Sequence, residues 1–167
     1  YTDGATTLFT KVSQESSGIT FANTVIQDVD FNFMNYMYIF FGGGVAIGDI
    51  DNDGLQDIYF TSNMGPNKLY RNKGNFEFED ITTSSKTEDF NGFTSGATML
   101  DVNNDGWLDI YVSKAGSLQS DDGRRNLLFV NQQDGSFKEE AKKWRIDDPG
   151  YTTYAYSLDY DKDGDLD

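Results

Sequence analysis

The stretch Asp49-Ile50-Asp51-Asn52-Asp53-Gly54-Leu55-Gln56-Asp57 decides the fold, because it recurs as Asp101-Val102-Asn103-Asn104-Asp105-Gly106-Trp107-Leu108-Asp109 and as Asp159-Tyr160-Asp161-Lys162-Asp163-Gly164-Asp165-Leu166-Asp167. Each copy places oxygen-bearing side chains at positions 1, 3, 5 and 9, with a Gly at 6 that permits a sharp bend. Carboxylates brought that close repel one another unless a hard cation sits among them. All-oxygen ligands point away from soft metals, and a flexible loop offering more than four oxygens suits Ca²⁺ better than Mg²⁺. The expected ligand sets are Asp49, Asp51, Asp53 and Asp57; Asp101, Asn103, Asp105 and Asp109; and Asp159, Asp161, Asp163 and Asp167. The backbone carbonyls of Leu55, Trp107 and Asp165, at position 7, complete them, giving up to three structural Ca²⁺ sites. An EF-hand begins the same way but needs a bidentate Glu at position 12, where this chain has Phe60 and Val112.

Moving outward, the flanks read as strands. Gly44 to Ile50 precedes the first loop and Asp57 to Thr61 follows it; Gly96 to Val102 and Asp109 to Ser113 do the same for the second. All are short, rich in β-branched and aromatic residues, and bounded by Gly and Asn. Beyond each loop hairpin comes a second pair. Asn67 to Asn72 and Phe76 to Ile81 flank a Lys73-Gly74-Asn75 turn, and Asn126 to Asn131 and Phe137 to Ala141 flank a turn at Asp134-Gly135. The unit is therefore four strands, repeated with spacings of 52 residues (Asp49 to Asp101) and 58 residues (Asp101 to Asp159). Four-stranded units of that period predict an all-β fold, a β-propeller of antiparallel blades with calcium loops between strands 1 and 2.

Because a closed propeller takes four to eight blades, this chain is expected to form part of one. Residues 1–43 supply an N-terminal outer strand, with Leu8 to Ser13 alternating like an edge strand, and an aromatic-rich segment. Residues 44–92 form blade 1, 93–150 blade 2, and 151–167 the start of a truncated blade 3. The rest of a longer parent chain is expected to close the ring, with the Phe9-to-Val12 strand as the outer strand of its last blade. Between Phe31 and Phe41, aromatic residues fall at near-alternate positions. They predict either a strand with a buried face or a platform that stacks against sugar rings or a partner protein.

The run from Gly44 to Tyr59, followed by Asn67-Lys68-Leu69-Tyr70 and Phe78-Glu79-Asp80-Ile81-Thr82, resembles the FG-GAP/VCBS repeats of integrin-α-type β-propellers. More narrowly, it resembles bacterial secreted and surface proteins, often from Bacteroidota, in which such repeats precede an ASPIC/UnbV domain. The resemblance implies structural calcium in all three loops, with Asn103 replacing an Asp and lowering the second site by one charge.

Composition narrows the function classes. A net charge of −15 disfavours nucleic acid and anionic membranes as partners. Eleven of the 28 acidic residues lie at loop ligand positions (four, three and four), so three bound Ca²⁺ would bring the charge to −15 + 6 = −9. With no Cys and no His, disulfides, thiolate chemistry and Ser-His-Asp catalysis are excluded. The longest strictly apolar run, Met37 to Phe41, is too short for a transmembrane segment. Loops of this acidity fill reliably where calcium is abundant, which places the protein outside the cell or on its surface.

In antiparallel blades all calcium loops fall on one face, and the variable segments fall on the other: residues 14–43, 63–66, 83–95, 114–125 and 142–152. The second unit carries seven extra residues, around Ser117 to Gly123, bordered by Arg124 and Arg125, with Trp144 near the next junction. The expected function is a secreted or cell-surface binding or adhesion scaffold that holds a protein or glycan on that face. The alternative is part of a carbohydrate-active propeller enzyme, a glycoside hydrolase or polysaccharide lyase. For that role Asp28, Asp30, Glu88, Asp89, Asp121 and Asp122 are the available carboxylates outside the loops.

Overall fold

The computed structural model describes residues 9–89, 92–116, 121–164 and 166. It contains two four-stranded antiparallel sheets, each a single up-and-down meander. The first runs β1 (Val45–Gly48), β2 (Asp57–Phe60), β3 (Lys68–Asn72) and β4 (Phe78–Asp80); the second runs β5 (Phe93–Leu100), β6 (Asp109–Gly116), β7 (Leu127–Asn131) and β8 (Phe137–Glu139). These are two blades of a partial β-propeller. The acidic loops join β1 to β2 and β5 to β6, and Gly48 pairs with Asp57 as Leu100 pairs with Asp109, so each loop closes its hairpin at the same register.

The two-residue period decides which side chains hold the blades together. Ala46, Tyr59 and Leu69 lie opposite one another across β1, β2 and β3, on one face of the first sheet. They pack against Ala97, Ile110, Val112 and Phe129 from the facing side of the second. Fully burying a side chain of this size contributes roughly 1.5 to 3 kcal/mol, so this interface is the main core. The other face of the second sheet presents Leu128 and Val130, which are buried with Ala141. The other face of the first is covered by the N-terminal segment, where Phe21 stacks on Phe60 at 4.9 Å and the Thr20 amide donates to the Tyr70 hydroxyl.

Glycine sets how closely the innermost strands approach. A Cβ on Gly44 would lie 2.6 Å from the Gly96 Cα, and one on Gly96 would lie 2.6 Å from the Thr153 carbonyl oxygen. Residues 151–158 thus run beside β5 as β5 runs beside β1. Their attachment includes hydrogen bonds from Ser95 Oγ to the Thr152 carbonyl and from Thr98 Oγ1 to the Ala155 carbonyl.

Residues 9–13 are exposed and have no ladder partner among the described residues, their expected partners belonging to the rest of a longer chain, and Ser13 caps the short helix α1 (Gln14–Ser17). Two expectations are corrected. Residues 28–43 are a lobe of successive turns, not a strand. Asp28 Oδ1 accepts from the amides of Asp30 and Phe31, and Asn32 Oδ1 accepts from those of Met34 and Asn35. Local side-chain bonds of this kind outcompete a ladder. Last, β8 stops at Glu139 instead of reaching Ala141, where Glu139 Oε1 accepts the Ala141 amide and helix α3 (Ala141–Trp144) begins. A matching helix α2 (Thr82–Ser85) follows β4. Among the described residues no helix is long and apolar enough to cross a membrane.

Candidate metal centres in the strand-joining loops

The loops share one construction. In the first, both oxygens of Asp49 accept backbone amides, from Asp53 at 3.1 Å and Gly54 at 2.8 Å, and Asp53 Oδ1 accepts from Leu55 at 2.8 Å. The second repeats this: Asp101 accepts from Asp105 at 3.0 Å and Gly106 at 2.7 Å, and Asp105 Oδ1 accepts from Trp107 at 2.9 Å. Asn52, Asn104 and Lys162 precede the position-5 Asp of each loop with positive φ, and the following glycines have φ of 86°, 84° and 99°. An L side chain is strained at that last position, which is why Gly stands there.

Position 9 has a second role that the loop pattern does not suggest. Asp57 is fully buried and accepts the Asn72 amide at 2.8 Å on one oxygen and the Ile50 amide at 2.9 Å on the other. Asp109 does the same with Asn131 at 2.8 Å and Val102 at 2.9 Å. Each ties the start of strand 2 to the loop and to the end of strand 3. Burial pushes the Asp57 carboxyl up to about 6, against these hydrogen bonds, and it raises Asp109 in the same way. The donors at the end of strand 3 are the main-chain amides of Asn72 and Asn131, which every residue but Pro carries, so no residue type in the sequence signals this brace. Asn131 also joins the blades, its Nδ2 donating to the Ile50 carbonyl at 2.8 Å.

The expected ligands converge unequally. Carboxylate oxygens of Asp49, Asp51 and Asp57 lie within 4.8 Å of one another, as do those of Asp159, Asp161 and Asp163. Asp51 Oδ1 is buried without a hydrogen-bond partner. Burial, then the neighbouring Asp53 and Asp49 charges, raise the Asp51 carboxyl. A buried carboxylate oxygen with no donor, set among other carboxylates, is what a hard cation satisfies, so the residues of the first loop fit a divalent metal. In the second loop the Asp105 Oδ2 faces amide donors instead, Asn103 Nδ2 at 3.0 Å and Gln133 Nε2 at 3.1 Å. Gln133 comes from the β7–β8 turn and was not among the expected site residues. Asp165 and Asp167 lie outside the described residues.

The model of the FG-GAP-like repeat matches residues 49–112, from the first acid of one loop through the second loop and into β6. The chain is an FG-GAP/integrin-like repeat protein. Its sequence is 31% identical over 125 residues to cartilage acidic protein 1 of Xenopus tropicalis, covering 73% of this chain and 18% of that protein. It is 36% identical over 69 residues to the Mus musculus protein of the same name, covering 41% and 11%. Against integrin alpha-8 of Gallus gallus it is 31% identical over 139 residues, covering 72% and 13%. The chain thus spans less than a fifth of the length of these relatives.

At the other end of the FG-GAP blades, away from the loops, lie the lobe of residues 28–43 and the segments leading into β5 and out of β6. A buried ion pair, Lys114 Nζ to Asp89 Oδ2 at 2.9 Å, joins β6 to the inter-blade segment. Beside β6, a cavity of about 470 Å³ opens over Phe93 and Ala115, floored by the buried ring of Tyr36, whose hydroxyl donates to the Ala115 carbonyl at 3.0 Å. Burial, and the nearby Tyr151 and Tyr38, push the Tyr36 phenol up. Arg124 stacks over the Tyr151 ring, 5.0 Å from its centroid, and donates from Nε to the Pro149 carbonyl. Of the carboxylates outside the loops, Asp89, Asp121 and Asp122 pair with Lys114, Arg124 and Arg125, and Glu88 accepts from the Thr83 hydroxyl. The expected insertion around Ser117 falls partly outside the described residues, at 117–120.

Proposed function

We propose that these repeats belong to a calcium-stabilised extracellular β-propeller that serves as a binding or adhesion scaffold and holds a protein or glycan on the face opposite the acidic loops. The observation that carries the calcium reading is the buried, unpartnered Asp51 Oδ1 within 4.8 Å reach of Asp49 and Asp57. In this reading Asp49, Asp51, Asp53, Asp57 and the Leu55 carbonyl hold the first ion. Asp101, Asn103, Asp105, Asp109 and the Trp107 carbonyl hold the second, and Asp159, Asp161, Asp163, Asp167 and the Asp165 carbonyl hold the third. The ions neutralise clustered charge and fix each hairpin; they take no part in chemistry. Blade 1 comprises 44–92, blade 2 comprises 93–150, and 151–167 opens a third.

The extracellular setting is supported by the relatives, a cartilage protein and an integrin α chain, and by loops of a kind that fill where calcium is plentiful. The narrower likeness to bacterial VCBS-repeat proteins rests on the motif strings alone. A scaffold is favoured over a glycoside hydrolase or lyase because Asp89, Asp121 and Asp122 are each paired to a cation, which leaves them poorly placed as a facing acid and base. The test is thermal unfolding with calcium, with magnesium and with chelator. A rise in Tm specific to calcium is expected, and equal Tm values in all three would overturn the metal reading.

A further inference from the structure

We infer that the cleft between the two blades, on the side of the acidic loops, is a second binding site and takes a neutral sugar ring. This goes beyond the scaffold reading, which places its ligand on the opposite face. A cavity of about 490 Å³ opens there between β3 and β4 of the first blade and the second loop and β7–β8 turn of the next, within the ~300 to 1,000 Å³ of small-molecule sites. Its base is apolar: buried Phe137 and half-buried Ile81 belong to the core between the blades. The half-buried indole of Trp107 and the facing pair of Arg71 and Glu79 also line it. An aromatic ring beside a few polar groups suits a ligand with a C–H face and a hydroxyl edge.

The cleft offers both donors and acceptors with capacity to spare. Arg71 Nη2 donates to Glu79 Oε2 at 2.8 Å, and among the described residues no partner meets Arg71 Nε or Nη1, Glu79 Oε1 or the Trp107 indole N–H. Asp134 Oδ1 accepts from the Ser136 amide and hydroxyl, at 2.9 and 2.6 Å, while its Oδ2 has no partner among the described residues. An anionic ligand brings no donor for Glu79 and Asp134, and a cationic one brings no acceptor for Arg71 and Trp107. A hydroxyl does both, so a ring with several adjacent hydroxyls can answer all four side chains at once. Its opposite, apolar face then lies against the indole or the Phe137 base.

The repeat itself does not require these residues. Leu55 stands in the first loop where Trp107 stands in the second, and Val130 faces Lys138 in the second blade as Arg71 faces Glu79 in the first. Arg71 and Glu79 form a half-exposed pair, of a kind that adds little stability. The pair does hold the guanidinium in place, as Ser136 holds the Asp134 carboxylate, so little order has to be gained on binding.

The test is an NMR titration of the intact, calcium-loaded protein with glucose, galactose and N-acetylglucosamine. Glucuronate and glucosamine, the anionic and cationic analogues of glucose, are the controls. The expected result is a saturable shift of the Trp107 indole N–H resonance with at least one neutral sugar, and binding about ten-fold weaker or less with both charged analogues. Trp107→Leu and Arg71→Val should each weaken binding about ten-fold. The calcium-dependent Tm should stay put in both, since each variant carries the residue that the other unit already uses. No saturable shift with any neutral sugar, an equal response to either charged analogue, or full binding by Trp107→Leu would overturn the inference. A Tm that ignores calcium defeats the metal reading alone, so the two failures are distinguishable.

Discussion

Asp57 and Asp53 sit four residues apart in one loop and read alike in the sequence, yet their surroundings separate them. Asp57 is fully buried and holds two backbone amides from different elements, whereas Asp53 is exposed and holds the Leu55 amide within its own loop. Asp57→Ala leaves two buried amides without acceptors, so it should destabilise the protein by about 2 to 4 kcal/mol even in chelator. Asp53→Ala should lower stability mainly when calcium is present. Denaturant unfolding of both variants with and without calcium checks this, and a calcium-only effect for Asp57→Ala would contradict it. The brace was not legible beforehand because its partner, Asn72, lies 15 residues away, a distance that no loop motif spans.

Glu140 gives a second residue-scale expectation. Hydrogen bonds from Lys138, then Lys143, hold its carboxyl down at about 2, below its ordinary 4.5. A depressed acid stabilises the fold above its unfolded value and loses that contribution as pH falls. The stability gap between the native chain and Glu140→Gln should therefore be full at pH 7, shrink below about 4.5 and close near 2. A gap that persists unchanged at pH 2 would contradict this.

At the scale of elements, the period-2 patterning and Gly-bounded turns made the eight strands readable, because each strand needs only local alternation and a turn signal to be recognised. The segment from 28 to 43 misled for an equally physical reason. Its aromatic spacing imitates a strand, but Asp28, Asn32 and Asn35 between the rings satisfy the backbone locally and fold it into turns. The buried pair of Lys114 and Asp89 was also invisible, since it joins β6 to a connecting segment 25 residues upstream. In the first blade the equivalent strand position is Ser62, whose amide meets Asn67 as the Lys114 amide meets Asn126. Asp89→Ala strands a buried ammonium and should cost about 3 to 5 kcal/mol, while the double change to Lys114→Met with Asp89→Leu should fall within about 1 kcal/mol of the native chain. Chemical denaturation of the three proteins decides it; a double variant as unstable as Asp89→Ala would show that the pair itself is needed.

For the whole molecule, coupling between blades includes the Ala46, Tyr59 and Leu69 face, Asn131 reaching the Ile50 carbonyl, Asn52 reaching the Gly106 carbonyl, Asn63 Nδ2 reaching the Thr94 carbonyl, and the Thr94 hydroxyl reaching Asn67 Oδ1. Repeats that touch only their neighbours lose order locally. Asp105→Ala should therefore lower hydrogen-exchange protection in β5 and β6 more than in β1 and β2, and equal loss in both blades would contradict it. The glycine contacts between innermost strands set how closely neighbouring units pack. Gly44 and Gly96 occupy the fifth position before their loops and let the next segment of chain approach closely, β5 at Gly44 and residues 153–154 at Gly96. The same position before the third loop is Tyr154. Its ring lies over Gly96, with Cδ2 2.9 Å from where a Cβ on that glycine would sit, so the bare Gly96 makes room for a phenol as well as for backbone. A side chain added at Gly96 would therefore push residues 153–158 away from β5.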